Sequence, residues 1–158
     1  MKQKIYIETS VISYLVARTS KNIIIAAHQA LTTDFWQQID DYETYISDIV
    51  IQEISKGDQT QAKLRCQLVD KFPILQIDHE AKELARKLLT IGIIPNKCPE
   101  DALHIAVAAS NGMDAILTWN FKHINNFFTK RKIRQVIEDN GWTCPEICSP
   151  EEFLGNKI

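Results

Sequence analysis

Four short runs rich in β-branched or aromatic residues read as strands: Lys4 to Glu8 (KIYIE), Thr44 to Ser47 (TYIS), Ile74 to Asp78 (ILQID) and Ala115 to Trp119 (AILTW). Between them, helical patterns run over Val11 to Ala17, Ile23 to Ile39, Asp48 to Lys56, Thr60 to Lys71, Glu80 to Thr90 and Pro99 to Asn111. Lys130 to Asn140 follows the fourth strand as a helix, and a last extended piece lies near Glu146 to Cys148. Strands alternating with helices predict an α/β fold with a parallel sheet and helices on both faces. No repeat or linker divides the chain, so a single domain over residues 1–158 is expected. In an open parallel sheet, ligands bind outside the carboxyl ends of the strands, near a topological switch point.

Composition narrows the function classes. The 158 residues are 45% hydrophobic and 24% charged, with 5 Gly and 5 Pro, which excludes collagenous, low-complexity and wholly disordered chains. Lys and Arg total 18 against 20 Asp and Glu, a net charge of -2, so any nucleic-acid role needs a local basic patch. Apolar stretches such as Ile23 to Ala27 are too short to span a membrane, and no secretory signal opens the chain. Cys66, Cys98, Cys144 and Cys148 form no CxxC pair, so reduced thiols and a cytoplasmic setting are expected. Cys144 and Cys148 lack a His pair at zinc spacing and read as packing residues. No GxGxxG, GxxxxGK[ST] or GxSxG motif occurs, which removes nucleotide-cofactor, P-loop and nucleophile-elbow chemistry.

Polar groups stand where the pattern calls for apolar ones. Glu8 ends the run Ile5-Tyr6-Ile7 and precedes Thr9-Ser10; it either faces a site at the strand end or complements the start of the next helix. Glu53 lies about 40° from Ile49 on a helical wheel, inside the apolar arc that Ile49 and Val50 define. Its carboxylate should therefore face the protein, where it needs a cation, a metal or several donors. Asp101 opens PEDALHIAVAAS, a segment apolar almost all round and hence buried. It fits a site at the strand ends, or simple complementation of the helix dipole. His104, one turn on, reads chiefly as a satisfied buried histidine, with ligand orientation as the other role. Thr118 and Asn120 share a parity after the fourth strand, and Asn120 alone reads as a turn residue. Three carboxylates and an amide thus converge without a cluster of Lys or Arg. Hard cations would offset their repulsion, and oxygen-only ligands favour Mg²⁺ or Mn²⁺.

At these residues the sequence resembles the PIN-domain nucleases, and more narrowly the toxins of VapBC-type toxin-antitoxin pairs. IYIETSVISYL is similar to the family's opening strand, acidic residue, Thr/Ser and helix. Glu53 in IVIQEIS matches its second acid, Asp101 in EDALHIAVA its third, and Thr118-Trp119-Asn120 its Thr-x-Asp element. The blocks match in order and spacing from Lys4 to about Leu154. Two positions depart: Glu8 stands where Asp is usual, and Asn120 where Asp is frequent. The resemblance implies a PIN-like three-layer α/β/α fold with four to five parallel strands. It also implies a Mg²⁺- or Mn²⁺-dependent endoribonuclease acting on single-stranded RNA, with an antitoxin as partner. Glu8, Glu53 and Asp101 would hold the metal, Asn120 would complete the catalytic set, and Thr9, Ser10 and Thr118 would orient ligands and water. Products would carry a 5′-phosphate and a 3′-hydroxyl.

Lys122, Lys130, Arg131, Lys132 and Arg134 form an acid-free basic run with Phe121, His123, Phe127 and Phe128 interleaved. It reads as an RNA rim with stacking surfaces, or as a solvated helix face over core phenylalanines. Tyr14, Leu15, Val16, Ile23, Ile24 and Ile25 exceed what one sheet-facing stripe needs. They predict a surface for an antitoxin helix or a homodimer, with core burial as the alternative. A PIN-like protein that binds RNA or a partner but scarcely cleaves is the rival reading. A receiver-type signalling domain is a more distant one, lacking the late lysine and the adjacent acids near the first strand that it would need.

Overall fold

In a computed structural model that describes residues 1–155, the strands are β1 (Lys4–Ile7), β2 (Glu43–Ser47), β3 (Ile74–Leu75), β4 (Ala115–Leu117) and β5 (Glu146–Cys148). The helices are α1 (Thr9–Val16), α2 (Ile23–Trp36), α3 (Asp48–Ile54), α4 (Gln59–Val69), α5 (His79–Thr90), α6 (Pro99–Ser110), α7 (Phe127–Asp139) and α8 (Pro150–Leu154), with a 3-10 turn at Ile39–Asp41. All the strand pairings are parallel, in the order β3-β2-β1-β4-β5. The expected α/β architecture is present.

Ile5, Tyr6 and Ile7 are all fully buried in the central strand. Successive strand residues point to opposite faces, so both faces of the sheet are covered. Packing groups α1 with α2, α3 and α4, and α2 with α8; α5 packs against α6 and α7. α6 is the most enclosed helix, with Ala102 and every residue from His104 to Ala109 buried. The chain steps from β1 outward to β2 and β3, then returns to β4 on the other side of β1. The switch point therefore lies between the carboxyl ends of β1 and β4.

Element ends differ from the sequence reading for local reasons. β1 and β4 stop at Ile7 and Leu117 because the next residues turn away from the ladder after one further bond each, Glu8 N–H to Leu117 O and Thr118 N–H to Cys148 O. β3 is limited to Ile74–Leu75, since Asp78 caps α5 by accepting from Ala81 N–H. α7 begins at Phe127, earlier than expected, because the Asn126 side chain accepts from Thr129 N–H. α8 has a capping box built by Ser149 and Glu152, a Ser-x-x-Glu signature overlooked in the sequence.

Thr44 on β2 carries a buried hydroxyl with no hydrogen-bond partner among the described residues. Valine keeps the β-branched shape and removes the desolvated group, so Thr44→Val should raise stability by about 1 kcal/mol. Urea unfolding measures this, and a loss of stability would mean that the hydroxyl is satisfied.

Candidate active site

Glu8, immediately after β1, is the N-cap of α1 and only 6% exposed. Its Oε1 accepts from Ser10 N–H at 3.1 Å, Ser10 Oγ at 2.5 Å and Thr118 Oγ1 at 2.7 Å. Glu8 therefore caps the helix from a position at the switch point. Ser10 Oγ also accepts from Trp119 N–H at 2.9 Å, and Thr118 Oγ1 from Asn120 N–H at 3.0 Å. The segment after β4 is thereby fastened to the segment after β1.

Glu53 projects from α3, half-buried as its place in the apolar arc predicts. Its Oε1 accepts from Thr9 Oγ1 at 2.7 Å and from His104 Nε2 at 2.6 Å. His104 is fully buried. Its Nδ1 lies 2.6 Å from the Tyr6 hydroxyl, which lies 2.7 Å from Ser47 Oγ. His104 is thus the satisfied histidine that the sequence favoured, and it also orients Glu53.

Asp101 stands in the first turn of α6. Its Oδ1 accepts from Asn120 Nδ2 at 3.3 Å and its Oδ2 from His123 Nδ1 at 2.9 Å. Asn120 Oδ1 accepts from His123 N–H at 3.0 Å, a local side-chain bond that sets the His123 ring against Asp101. His123 thus belongs to the site rather than to the basic patch, and the Asn-x-x-His spacing is its signal in the sequence. Thr118 and Asn120 lie beyond β4, so strand parity does not orient them. Each instead serves a different acid.

Burial disfavours the His104 cation, yet the bond to Glu53 and the charges of Glu8, Glu53 and Asp101 outweigh it and raise its pKa. Among the described residues, Glu53 is the acid that hydrogen-bonds this imidazole. Burial raises the Glu53 pKa, but the His104 bond and charge, Thr9 and Lys56 together bring it below the ordinary value. The acids meet histidines: His104 bonds Glu53 and His123 bonds Asp101.

The donor set suits a hard cation. Glu8 Oε2 and Glu53 Oε2 accept no hydrogen bond among the described residues, and every first-rank donor is an oxygen. The three carboxylates do not form a set whose oxygens all lie within 4.8 Å of one another; among the described residues Cys98, Asp101 and His123 do.

The model of the PIN domain matches residues 5–124. The chain belongs to the PIN domain family. Every residue of the candidate site lies inside that match, whereas Lys130 to Arg134 lie outside it. The crystal structure of VapBC2 from Rickettsia felis bound to a DNA fragment from their promoter contains a chain with the same fold. It is 17% identical, with a TM-score of 0.52 over 76% of this chain and 90% of that one. No curated protein matches the sequence significantly.

Outside the PIN site, Arg134 is bound to Glu138 and Glu146, and Lys130 Nζ reaches Ile147 O. Lys122, Arg131 and Lys132 are exposed, and Arg131 lies over the Phe127 ring. Phe121, Phe127 and Phe128 are exposed, not core. None of Tyr14, Leu15, Val16, Ile23, Ile24 and Ile25 is fully buried, and Ile23 is 85% exposed. A cleft of about 370 Å³ lined by Leu15, Val16, Leu64, Gln67 and Leu68 lies beside α1 and α4. No described helix is long and apolar enough to cross a membrane.

Both shifts stabilise the fold, with opposite pH dependence. With its folded pKa raised, His104 stabilises the fold in full below about pH 6.5 and loses that contribution as pH rises through the folded value. Glu53, with its pKa lowered, contributes in full above about pH 4.3 and loses it as pH falls through the folded value. In the metal-free protein, the NMR titration midpoint of His104 should lie above that of free histidine and drop in Glu53→Gln. A wild-type midpoint at or below the free value would refute the pairing.

Proposed function

We propose that the protein is a Mg²⁺- or Mn²⁺-dependent endoribonuclease cleaving single-stranded RNA, the VapC-like toxin of a toxin-antitoxin pair. The observation that carries this is that Glu8, Glu53 and Asp101 are each fixed by side-chain hydrogen bonds around the switch point of a PIN fold. Glu8, Glu53 and Asp101 would hold the ion, which supplies Lewis-acid charge for the phosphate and a water of lowered pKa. Ser10 and Thr118 fix Glu8, Thr9 and His104 fix Glu53, and Asn120 and His123 fix Asp101. Hydrolysis joins the water oxygen to phosphorus and breaks the bond to O3′, leaving a 5′-phosphate and a 3′-hydroxyl. The apolar cleft by α1 and α4, with exposed Ile23 and Ile24, suits an amphipathic antitoxin helix; a second copy of the chain is the other occupant.

Asn120 in place of a fourth carboxylate favours a second reading, a PIN-fold protein that binds RNA or a partner with weak cleavage. Turnover of a single-stranded RNA separates the two. The nuclease reading expects cleavage that chelator abolishes and that Glu53→Gln lowers on the order of 10²-fold or more. It expects Mn²⁺ to outperform Mg²⁺, which demands near-ideal octahedral geometry. Glu8→Asp and Asn120→Asp should raise a weakened turnover; if both leave it unchanged or lower it, the two departures belong to a competent site. Metal-independent cleavage, or none with either ion, would remove the nuclease reading.

Binding should show which basic residues meet phosphate. Replacing Lys122, Arg131 and Lys132 together with alanine should reduce the slope of log affinity against log salt by about 2, near 0.7 per single-strand phosphate. Arg134→Ala, whose guanidinium is held by two carboxylates, should leave the slope unchanged. Equal slopes in wild type and the triple variant would place the RNA elsewhere.

A further inference from the structure

Cys98 occupies the N-cap position of α6, yet its side chain makes no capping hydrogen bond. Serine or aspartate there would stabilise the helix better, so capping does not account for the thiol. Its ligand atom lies within 4.8 Å of those of Asp101, one turn into the helix, and His123, from the loop after β4. Cys98 and His123 are partly exposed, so solvent reaches the cluster. A thiol, an imidazole and a carboxylate are a different donor class from the all-oxygen set of Glu8 and Glu53. Sulfur and imidazole nitrogen select Zn²⁺ and its neighbours in the first transition row, whereas Mg²⁺ and Mn²⁺ prefer oxygen. Three protein ligands leave a fourth tetrahedral position for water. Asp101 is the one residue common to both sets.

We propose that Cys98, Asp101 and His123 bind Zn²⁺, and that zinc there takes Asp101 from the Mg²⁺ or Mn²⁺ centre and so switches that centre off. Binding stands on the cluster itself, while the competition rests on the nuclease reading of Glu8, Glu53 and Asp101. Zinc would replace the His123 Nδ1–H bond to Asp101 with two bonds to the metal, the imidazole proton passing from Nδ1 to Nε2 through solvent and the thiol releasing its proton to solvent.

Cobalt(II) added to the metal-free protein reads the site without RNA or manganese. Wild type should develop a thiolate-to-cobalt charge-transfer band in the near ultraviolet, Cys66→Ser should keep it, and Cys98→Ser should lose it. Serine is a favoured N-cap residue, so Cys98→Ser should fold. Calorimetry with Zn²⁺ should show at least about 100-fold weaker binding in Cys98→Ser, beyond the loss typical of a mere supporting residue. One equivalent of Zn²⁺ should also release bound Mn²⁺ from wild type, seen in the paramagnetic resonance of the free ion, but not from Cys98→Ser. No thiolate band, or equal zinc affinity in both proteins, would overturn the site. Retention of Mn²⁺ beside Zn²⁺ in wild type would overturn the competition. A nuclease that proved inactive with a normal cobalt band would instead count against the nuclease reading alone.

Discussion

A fully buried histidine holds this site together. His104 links Glu53 on α3 to Tyr6 on β1, and through the Tyr6 hydroxyl to Ser47 at the end of β2; Thr9 on α1 closes the chain on the same Glu53 oxygen. Burial of an imidazole without partners would cost several kcal/mol. Here both nitrogens are satisfied, and the three nearby acids favour its charged form. The network fixes where α3 and α6 sit against β1, and with them the positions of two of the three acids.

The other half of the site is fixed by register. Tyr6 pairs with Ile116 and Ile7 with Leu117, which brings Glu8 level with Thr118 just where the two strands end. The hydroxyls of Ser10 and Thr118 then meet on one Glu8 oxygen. This bond spans 110 residues of sequence, yet it costs little extra ordering, because the parallel ladder has already aligned its two ends. The switch point thus supplies both a crevice and a pair of backbone turns whose hydroxyl groups serve a carboxylate.

Much of the fold was legible because its signals are local: short β-branched runs, helical periodicity and the largely apolar, buried α6. The ends were less so. Side-chain caps at Asn126 and Asp78 decide where α7 begins and β3 stops, and capping competes with periodicity over only one turn. In the site, the inward turn of Glu53 was visible on a helical wheel, since a carboxylate inside an apolar arc demands a partner. The partner itself was not, because it comes from 51 residues away and is a histidine, whose charge depends on its surroundings. His123 was hidden differently: preceded by Phe121 and Lys122 it looks like part of a basic rim, and only the bond from its N–H to the Asn120 side chain sets its ring against Asp101.

The two departures from the family pattern find their physical place in the same network. Glu8 is one methylene longer than aspartate, about 1.5 Å, and its Oε1 is held by donors within the first turn of α1 and by Thr118, so the extra length is taken up at the N-cap. Asn120 presents an amide N–H₂ to Asp101 at 3.3 Å. A carboxylate in its place would face Asp101 with a like charge, a repulsion of roughly 5 kcal/mol at that separation and an effective dielectric near 20. Such a site would depend on a cation to hold its acids together. With Asn120 donating to Asp101, and with His104 and His123 pairing the acids, side-chain bonds alone fix this geometry. On the proposed nuclease reading an ion would meet a site already ordered, and would compete with two histidines for carboxylates they already hold.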